Sequence, residues 1–282
     1  MKLGLYGINF GACVDPQVAA SVAKAAEEAG LDSVWTAEHV VLPDPQVPAA
    51  PLPPQLPILD PAVSLAHVAA HTRTLLLATG IIILPQRNPV VLAKELASVD
   101  VVSGGRLVFG IGAGYLEPEF AAVGASFGDR GQRTDEYIQA IQQLWTQEKP
   151  RFEGRFVSFG GIDAHPRPIQ KPHPPIVVGG MSPPALRRAV RYGSGWYGFA
   201  LDLDVTAQCV EGLREAQRQV ERPPELGPLE ISVTPSIPID ADNVSRFEDL
   251  GVDRLVAIGA GGSAEDLSAF VQNTAKLVLG AN

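Results

Sequence analysis

The chain has 282 residues, with 22 Lys and Arg against 31 Asp and Glu, a formal charge of −9, and 46 % apolar residues. That length and apolar share suffice for a large buried core and exclude a disordered chain. The acidic balance argues against a nucleic-acid binder, which needs a basic face, and Cys13 and Cys209 make no disulfide framework, which fits a reducing, cytoplasmic setting.

Lys2–Asn9 reads as strand 1. Its Leu3, Leu5 and Ile8 are interleaved with Gly4, Gly7 and Asn9, a pattern that suits a buried strand better than a signal core. Asp15-Pro16 supplies a cap followed by Pro at the first helical position. Val18, Val22, Ala25, Ala26 and Ala29 then form one apolar stripe, which Gly30 ends. Ser33–Thr36 is strand 2. A stiff segment, Pro43–Pro61, follows, and Asp60-Pro61 opens a helix to about Ala70. Leu75–Leu84 is strand 3, a continuous apolar run of the kind that both-face burial favours. Thr79 and Gly80 interrupt it, and it is too short to cross a bilayer. Leu92, Leu96 and Val99 mark the next helix, and Ser103-Gly104-Gly105 turns the chain into strand 4, Arg106–Ile111.

In the second half, Tyr137, Ile138, Ile141, Leu144 and Trp145 form a helical stripe. Gln147–Pro175 holds an expected hairpin, Phe152–Phe159, and a Pro-rich stretch. Ile176–Val178 is strand 5, and Ser182-Pro183-Pro184 caps the next helix. Strand 6 is Trp196–Ala200, with a helix over Asp204–Val220. Strand 7 is Leu229–Ile239, with a helix over Ala241–Leu250. Strand 8 is Arg254–Ile258, and the last helix is Ser263–Leu279.

Eight strand–helix units at roughly 35 residues each match the tempo of a (β/α)₈ TIM barrel. One domain, 1–282, is therefore expected, with an insertion between the strand 4 helix and strand 5. A doubly wound sheet would more often have fewer strands and an early Gly-rich turn. Loops after strands form a barrel's active-site face, and the expectation places both 43–61 and 147–175 there, as lid or pocket walls.

His39, beside Glu38 just past strand 2, is placed for acid–base work. His67 and His71 have metal-compatible spacing, but no carboxylate supports a metal and helix surface is the expected role. Gly110-Ile111-Gly112-Ala113-Gly114 is a poor dinucleotide fingerprint and reads as backbone kept bare for the approach of something flat or anionic. Gly179-Gly180-Met181-Ser182 leads into a helix N-terminus, which suits a phosphate. Gly80 inside an apolar strand signals a bulge or a close approach.

Several stretches jointly match one family. They are Leu31–Trp35 leading to Glu38-His39, Thr79–Pro85 with Arg87-Asn88-Pro89, Asp100–Leu107, Gly110–Tyr115, Arg130–Glu136 and Pro175–Pro183. With these the chain resembles the luciferase-like monooxygenase superfamily, in the branch that uses the deazaflavin coenzyme F420. The resemblance implies a barrel, usually a homodimer, that transfers a hydride between F420 and a small organic substrate. It implies a non-prolyl cis peptide at Gly80–Ile81, with Thr79, Gly80 and Ile81 behind the cofactor ring. Gly112, Ala113, Gly114 and Tyr115 would run along the cofactor, and Gly179, Gly180, Met181 and Ser182 would hold its phosphate. His39 would donate or accept the substrate proton, with Glu38 tuning or orienting it. Some deazaflavin dehydrogenases place a Glu directly after the strand 4 glycines; here that position is Tyr115, with Glu117 and Glu119 further on. An FMN-dependent monooxygenase fed by a separate reductase is the alternative, and a non-catalytic cofactor-binding protein the second. A cofactor with a phosphate and an acidic tail would require this acidic protein to gather positive potential locally, with Arg187, Arg188, Arg191, Arg151 and Arg155 as candidates.

Overall fold

The structure is a computed structural model describing residues 1–259 and 261–280. Eight strands run parallel: β1 (Lys2–Tyr6), β2 (Ser33–Thr36), β3 (Leu76–Thr79), β4 (Leu107–Gly112), β5 (Ile176–Gly179), β6 (Gly195–Leu201), β7 (Glu230–Pro235) and β8 (Arg254–Ile258). Each pairs with its sequence neighbours, β1 pairs with β8, and β3 pairs with β4, so the sheet closes on itself. The fold is a TIM barrel.

The helices are α1 (Pro16–Glu28), α2 (Pro61–His71), α3 (Pro89–Ser103), α4 (Glu117–Ala122), α5 (Arg130–Thr146), α6 (Pro183–Tyr192), α7 (Leu203–Gln219), α8 (Ala241–Asp249) and α9 (Ala264–Leu279). The caps read from the sequence act as side-chain acceptors: Asp15 takes the amides of Gln17 and Val18, and Asp60 those of Ala62 and Val63. Asn88 does the same for α3. Each precedes a Pro, whose missing N–H is one the first turn would leave unpaired anyway.

Alternation along the strands divides the core in two. One set of side chains, Leu5, Val34, Leu77, Phe109, Val178 and Leu255 among them, packs outward against the helices. The other, Trp35, Ala78, Val108, Val177, Tyr197 and Val256, fills the barrel itself. Two strands end earlier than expected. β1 stops at Tyr6, and β7 stops at Pro235, which has no amide to extend a ladder. The expected single strand Leu75–Leu84 is broken: the Gly80–Ile81 peptide is cis, and Ile82–Ile83 resumes pairing with β4 alone.

The Pro-rich segment lies at the C-terminal ends of the strands, stitched to the loop after β1. Asn9 donates to Leu59 O and Ala37 O and accepts from Ala37 N, and Gly11 N reaches Pro57 O. The 147–175 insertion corrects the expectation. It connects a helix to a strand, so it starts and ends at the N-terminal face. Gln170 bonds Leu107 O at the start of β4 and Asp100 near the end of α3, and Ile169 N also bonds Asp100. Only its hairpin (Phe152–Glu153 paired with Ser158–Phe159) climbs the outside of α5, where Glu136 accepts the amides of Arg155, Phe156 and Val157.

Candidate active site

The C-terminal ends of the strands carry most of the chemistry-bearing groups expected from the sequence. At the end of β3, the cis peptide turns Ile81 toward the open mouth of the barrel, half-buried against the inner core. The neighbouring glycines make room for this segment. A side chain at Gly110 would collide with the Thr79 carbonyl, one at Gly112 with Ile81, and one at Gly114 with Ile83 and Phe120. A Cβ at Gly179 would stand 3.1 Å from Ile81. The bare backbone of β4 is thus filled by the chain's own β3 segment. This corrects the reading of those glycines as open approach for a ligand. Thr79 closes the arrangement by donating to Gly110 O at 2.7 Å.

Glu38 and His39 are adjacent in sequence and point apart, as successive residues of an extended segment must. The Glu38 carboxylate is buried in the barrel–helix layer, where it accepts from Ile83 N and pairs with Arg87. Arg87 also holds Asp60, the cap of α2. Burial pushes the Glu38 carboxyl up, against the downward pull of Arg87 and the Ile83 amide. Glu38 therefore clamps the β3 segment and the Pro-rich loop, and the expected pairing with His39 is not made.

His39 is held instead by Glu119, on the short helix α4. Its Nδ1 lies 3.3 Å from Glu119 Oε2, and the other carboxylate oxygen accepts Val40 N at 2.7 Å. Nε2 faces the Tyr115 hydroxyl at 3.4 Å. The His39 side chain is 8 % exposed and that of Glu119 fully buried, whereas Tyr115 is 51 % exposed. Burial, then the Glu119 charge, raise the Tyr115 phenol. Sequence reasoning missed Glu119 in this role. The available signal was an acidic residue between Leu116 and Phe120, both buried, directly after the β4 glycines.

Across the mouth stands an aromatic wall of Tyr6, Phe10, Tyr197 and Phe199, with Tyr6–Phe199 and Trp35–Tyr197 ring centroids 4.9 and 4.8 Å apart. Burial pushes the Tyr6 and Tyr197 phenols up. Phe199 and Met181 remain exposed, and Ala200 beside Phe199 holds a left-handed φ of 55°, a strained conformation that functional rims often carry. At the end of β5, Trp196 Nε1 holds Gly180 O at 2.8 Å, which positions Gly180, Met181 and Ser182 on the rim. Ser182 starts α6 without using its hydroxyl as a cap. Pro183 and Pro184 remove two of the helix-end donors, so an anion here would rely on the loop amides and the Ser182 hydroxyl.

Such a mouth fits a flat cofactor with a phosphate: apolar and aromatic walls, a histidine at one edge and a helix start at the other. Four of the five basic candidates are engaged elsewhere. Arg188 is buried on Asp135, Arg151 pairs with Glu153, Arg155 covers Phe156, and Arg191 lines a groove at the opposite, N-terminal face. His67 bonds Pro16 O on the helix surface, and both cysteines are buried thiols, Cys13 pushed up to about 11 by burial. Among the described residues no helix is long and apolar enough to cross a membrane.

The (β/α)₈ barrel is a fold of enzymes whose chemistry sits at the C-terminal mouth. The model of the luciferase-like monooxygenase family matches residues 9–261, and the chain belongs to that family of oxidoreductases. The chain is 31 % identical over 267 residues to the uncharacterised protein Rv0953c of Mycobacterium tuberculosis, covering 91 % of this chain and 92 % of that one. Among solved structures it resembles the monooxygenase RslO1 from Streptomyces bottropensis, with a TM-score of 0.80 at 24 % identity over 99 % of both chains. It also resembles an F420-dependent secondary alcohol dehydrogenase bound to an F420–acetone adduct, with a TM-score of 0.78 at 16 % identity over 100 % and 99 %. At those identities the structural likeness concerns the fold.

Proposed function

We propose that the protein is an F420-dependent oxidoreductase that transfers a hydride between the deazaflavin and a small organic substrate at the C-terminal mouth of the barrel. The observation that carries this reading is His39, a nearly buried imidazole just past β2, oriented by a buried carboxylate, with Nε2 toward the exposed Tyr115. A deazaflavin, when bound, supplies a carbon in place of the flavin N5, so it exchanges hydride and reacts poorly with oxygen.

The chain's own residues supply the rest. Ile81, with Gly80 behind it, makes a floor against which a ring can lie. Met181, Ser182 and the start of α6 hold the phosphate end. Phe199 and Tyr6 wall off water from the opposite side. His39 exchanges a proton at Nε2 while Glu119 holds Nδ1. A homodimer and a small-molecule substrate belong to the same proposal.

The family's description as monooxygenases favours a second reading, an FMN-dependent monooxygenase fed by a separate reductase. Anaerobic turnover separates the two. The first reading expects oxidation or reduction of alcohols, enones or imines with F420 in the absence of oxygen. Product that forms only with reduced FMN and oxygen would overturn it. His39→Ala should keep cofactor affinity and lose roughly 100-fold or more in turnover; unchanged turnover would remove His39 from the chemistry.

A further inference from the structure

Tyr115, His39 and Glu119 are linked in series by two contacts, Tyr115 exposed, the His39 side chain 8 % exposed and that of Glu119 fully buried. For a neutral imidazole against the Glu119 carboxylate, the two contacts assign the hydrogen-bond roles. A carboxylate oxygen can only accept, so Nδ1 of His39 carries the hydrogen that meets Glu119 Oε2. Nε2 then keeps its lone pair and accepts from the Tyr115 hydroxyl. Glu119 itself is tethered, because its other oxygen accepts from Val40 N.

We propose that these three residues form a proton relay whose outer end is the Tyr115 hydroxyl, with Glu119 as the positioning residue that locks His39 in the Nδ1–H tautomer. The relay rests on the redox reading above only for the identity of the ligand. Tyr115 is the group that meets a hydroxylic ligand, and His39 refills or empties it from behind. In the oxidative direction the ligand O–H bond breaks and an O–H bond forms on Tyr115, while the phenol's own proton passes to Nε2. The new N–H bond uses the ring's lone pair, and the resulting imidazolium lies against the Glu119 carboxylate. The electron pair left on the ligand oxygen becomes the carbonyl bond as the hydride leaves to an oxidised deazaflavin. In the reductive direction each transfer is reversed.

The structural alternative is that Glu119 merely anchors Val40. Nitrogen-15 spectra of the histidine-labelled protein, without cofactor and at a pH where imidazole is neutral, distinguish the two. His39 is assigned by loss of its signals in His39→Gln. The relay expects a protonated-type Nδ1 and a lone-pair-type Nε2 in the wild type. Glu119→Gln keeps the shape and an oxygen for Val40 N, and should populate the Nε2–H tautomer. Tyr115→Phe should shift the Nε2 signal toward that of a free lone pair. A wild-type Nε2–H tautomer, or spectra that neither variant changes, would overturn the relay. With turnover as the readout, Tyr115→Phe should lower kcat roughly 100-fold with KM nearly unchanged. A tautomer lock found intact in a protein that transfers no hydride would instead overturn the redox reading and leave Glu119's positioning in place.

Discussion

At the N-terminal end of the barrel, Arg254 donates to both oxygens of Asp32, to Ser232 and to Glu230, and Glu230 also holds Lys2. Nearby, Arg106 donates to Ser103 O, Leu75 O, Ala69 O and Thr72, and Glu27 accepts the amides of Arg73, Thr74 and Leu75. At the C-terminal end the same strands present Phe199, Met181 and Tyr115 to solvent, with a histidine held through contacts of 3.3 and 3.4 Å. One end closes its polar groups on one another. The other leaves apolar surface and hydrogen-bonding capacity for something that arrives. Trp35 marks the boundary: its Nε1 bonds Ser33, with Arg254 over its ring, while its other side packs against Tyr197. Conserving strand geometry while separating stability from reactivity is the general economy of this fold.

The contrast can be broken from either side. The largest expected effect is Gly110→Ala. The new methyl would meet a backbone carbonyl, which cannot rotate away, so β3 and β4 would have to separate. A loss of at least about 3 kcal/mol is expected, at the upper end for overpacking, together with loss of cofactor binding. Urea unfolding measures it, and a loss under 1 kcal/mol would contradict the packing described.

Arg254→Met at the other end leaves Asp32 without its cation and Glu230 with Lys2 alone. About 3 kcal/mol is expected, at the low end for a broken buried pair because both carboxylates keep some solvent contact. Cofactor affinity, measured where the variant is still folded, should be unchanged. A selective loss of affinity would show the two ends to be coupled.

The smallest effect is pH-dependent. Burial alone would raise the Glu27 carboxyl, but the amides of Thr74 and Arg73, the Thr74 hydroxyl and the Leu75 amide hold it down to about 2. A carboxyl depressed by folding contributes stability above its unfolded pKa, and that contribution is lost as pH falls toward the folded value. Glu27→Gln should therefore cost about 1 kcal/mol at neutral pH, screened by solvent. The gap to wild type should close between about pH 4.5 and 2. A gap that persists at the acid end would mean that the effect is not ionic.

Much of this organisation was legible in the sequence. The strand–helix tempo, the Asp-Pro starts of α1 and α2 and the odd Gly80 in an apolar run each register a local requirement, and local requirements leave local traces. What was hidden depends on contacts between strands. Nothing in the glycines of β4 says that Ile81 and Thr79, some thirty residues earlier, occupy the space beside them. Glu38 is next to His39 in the chain, but alternation sends it to the opposite layer, and the carboxylate that meets the imidazole comes 80 residues later. The insertion at 147–175 was placed on the wrong face because its position after a helix, rather than after a strand, decides which end of the barrel it reaches.

The claim that the C-terminal mouth holds a deazaflavin is tested most directly by titrating coenzyme F420 into the wild-type chain and into Met181→Asp, following cofactor fluorescence. Met181 is exposed on the rim before α6, so the substitution adds a negative charge with little change in packing. Saturable binding in the wild type, weakened roughly tenfold in the variant as about 1.4 kcal/mol of repulsion would produce, is the predicted result. No saturable binding, or binding that Met181→Asp leaves untouched, would contradict it.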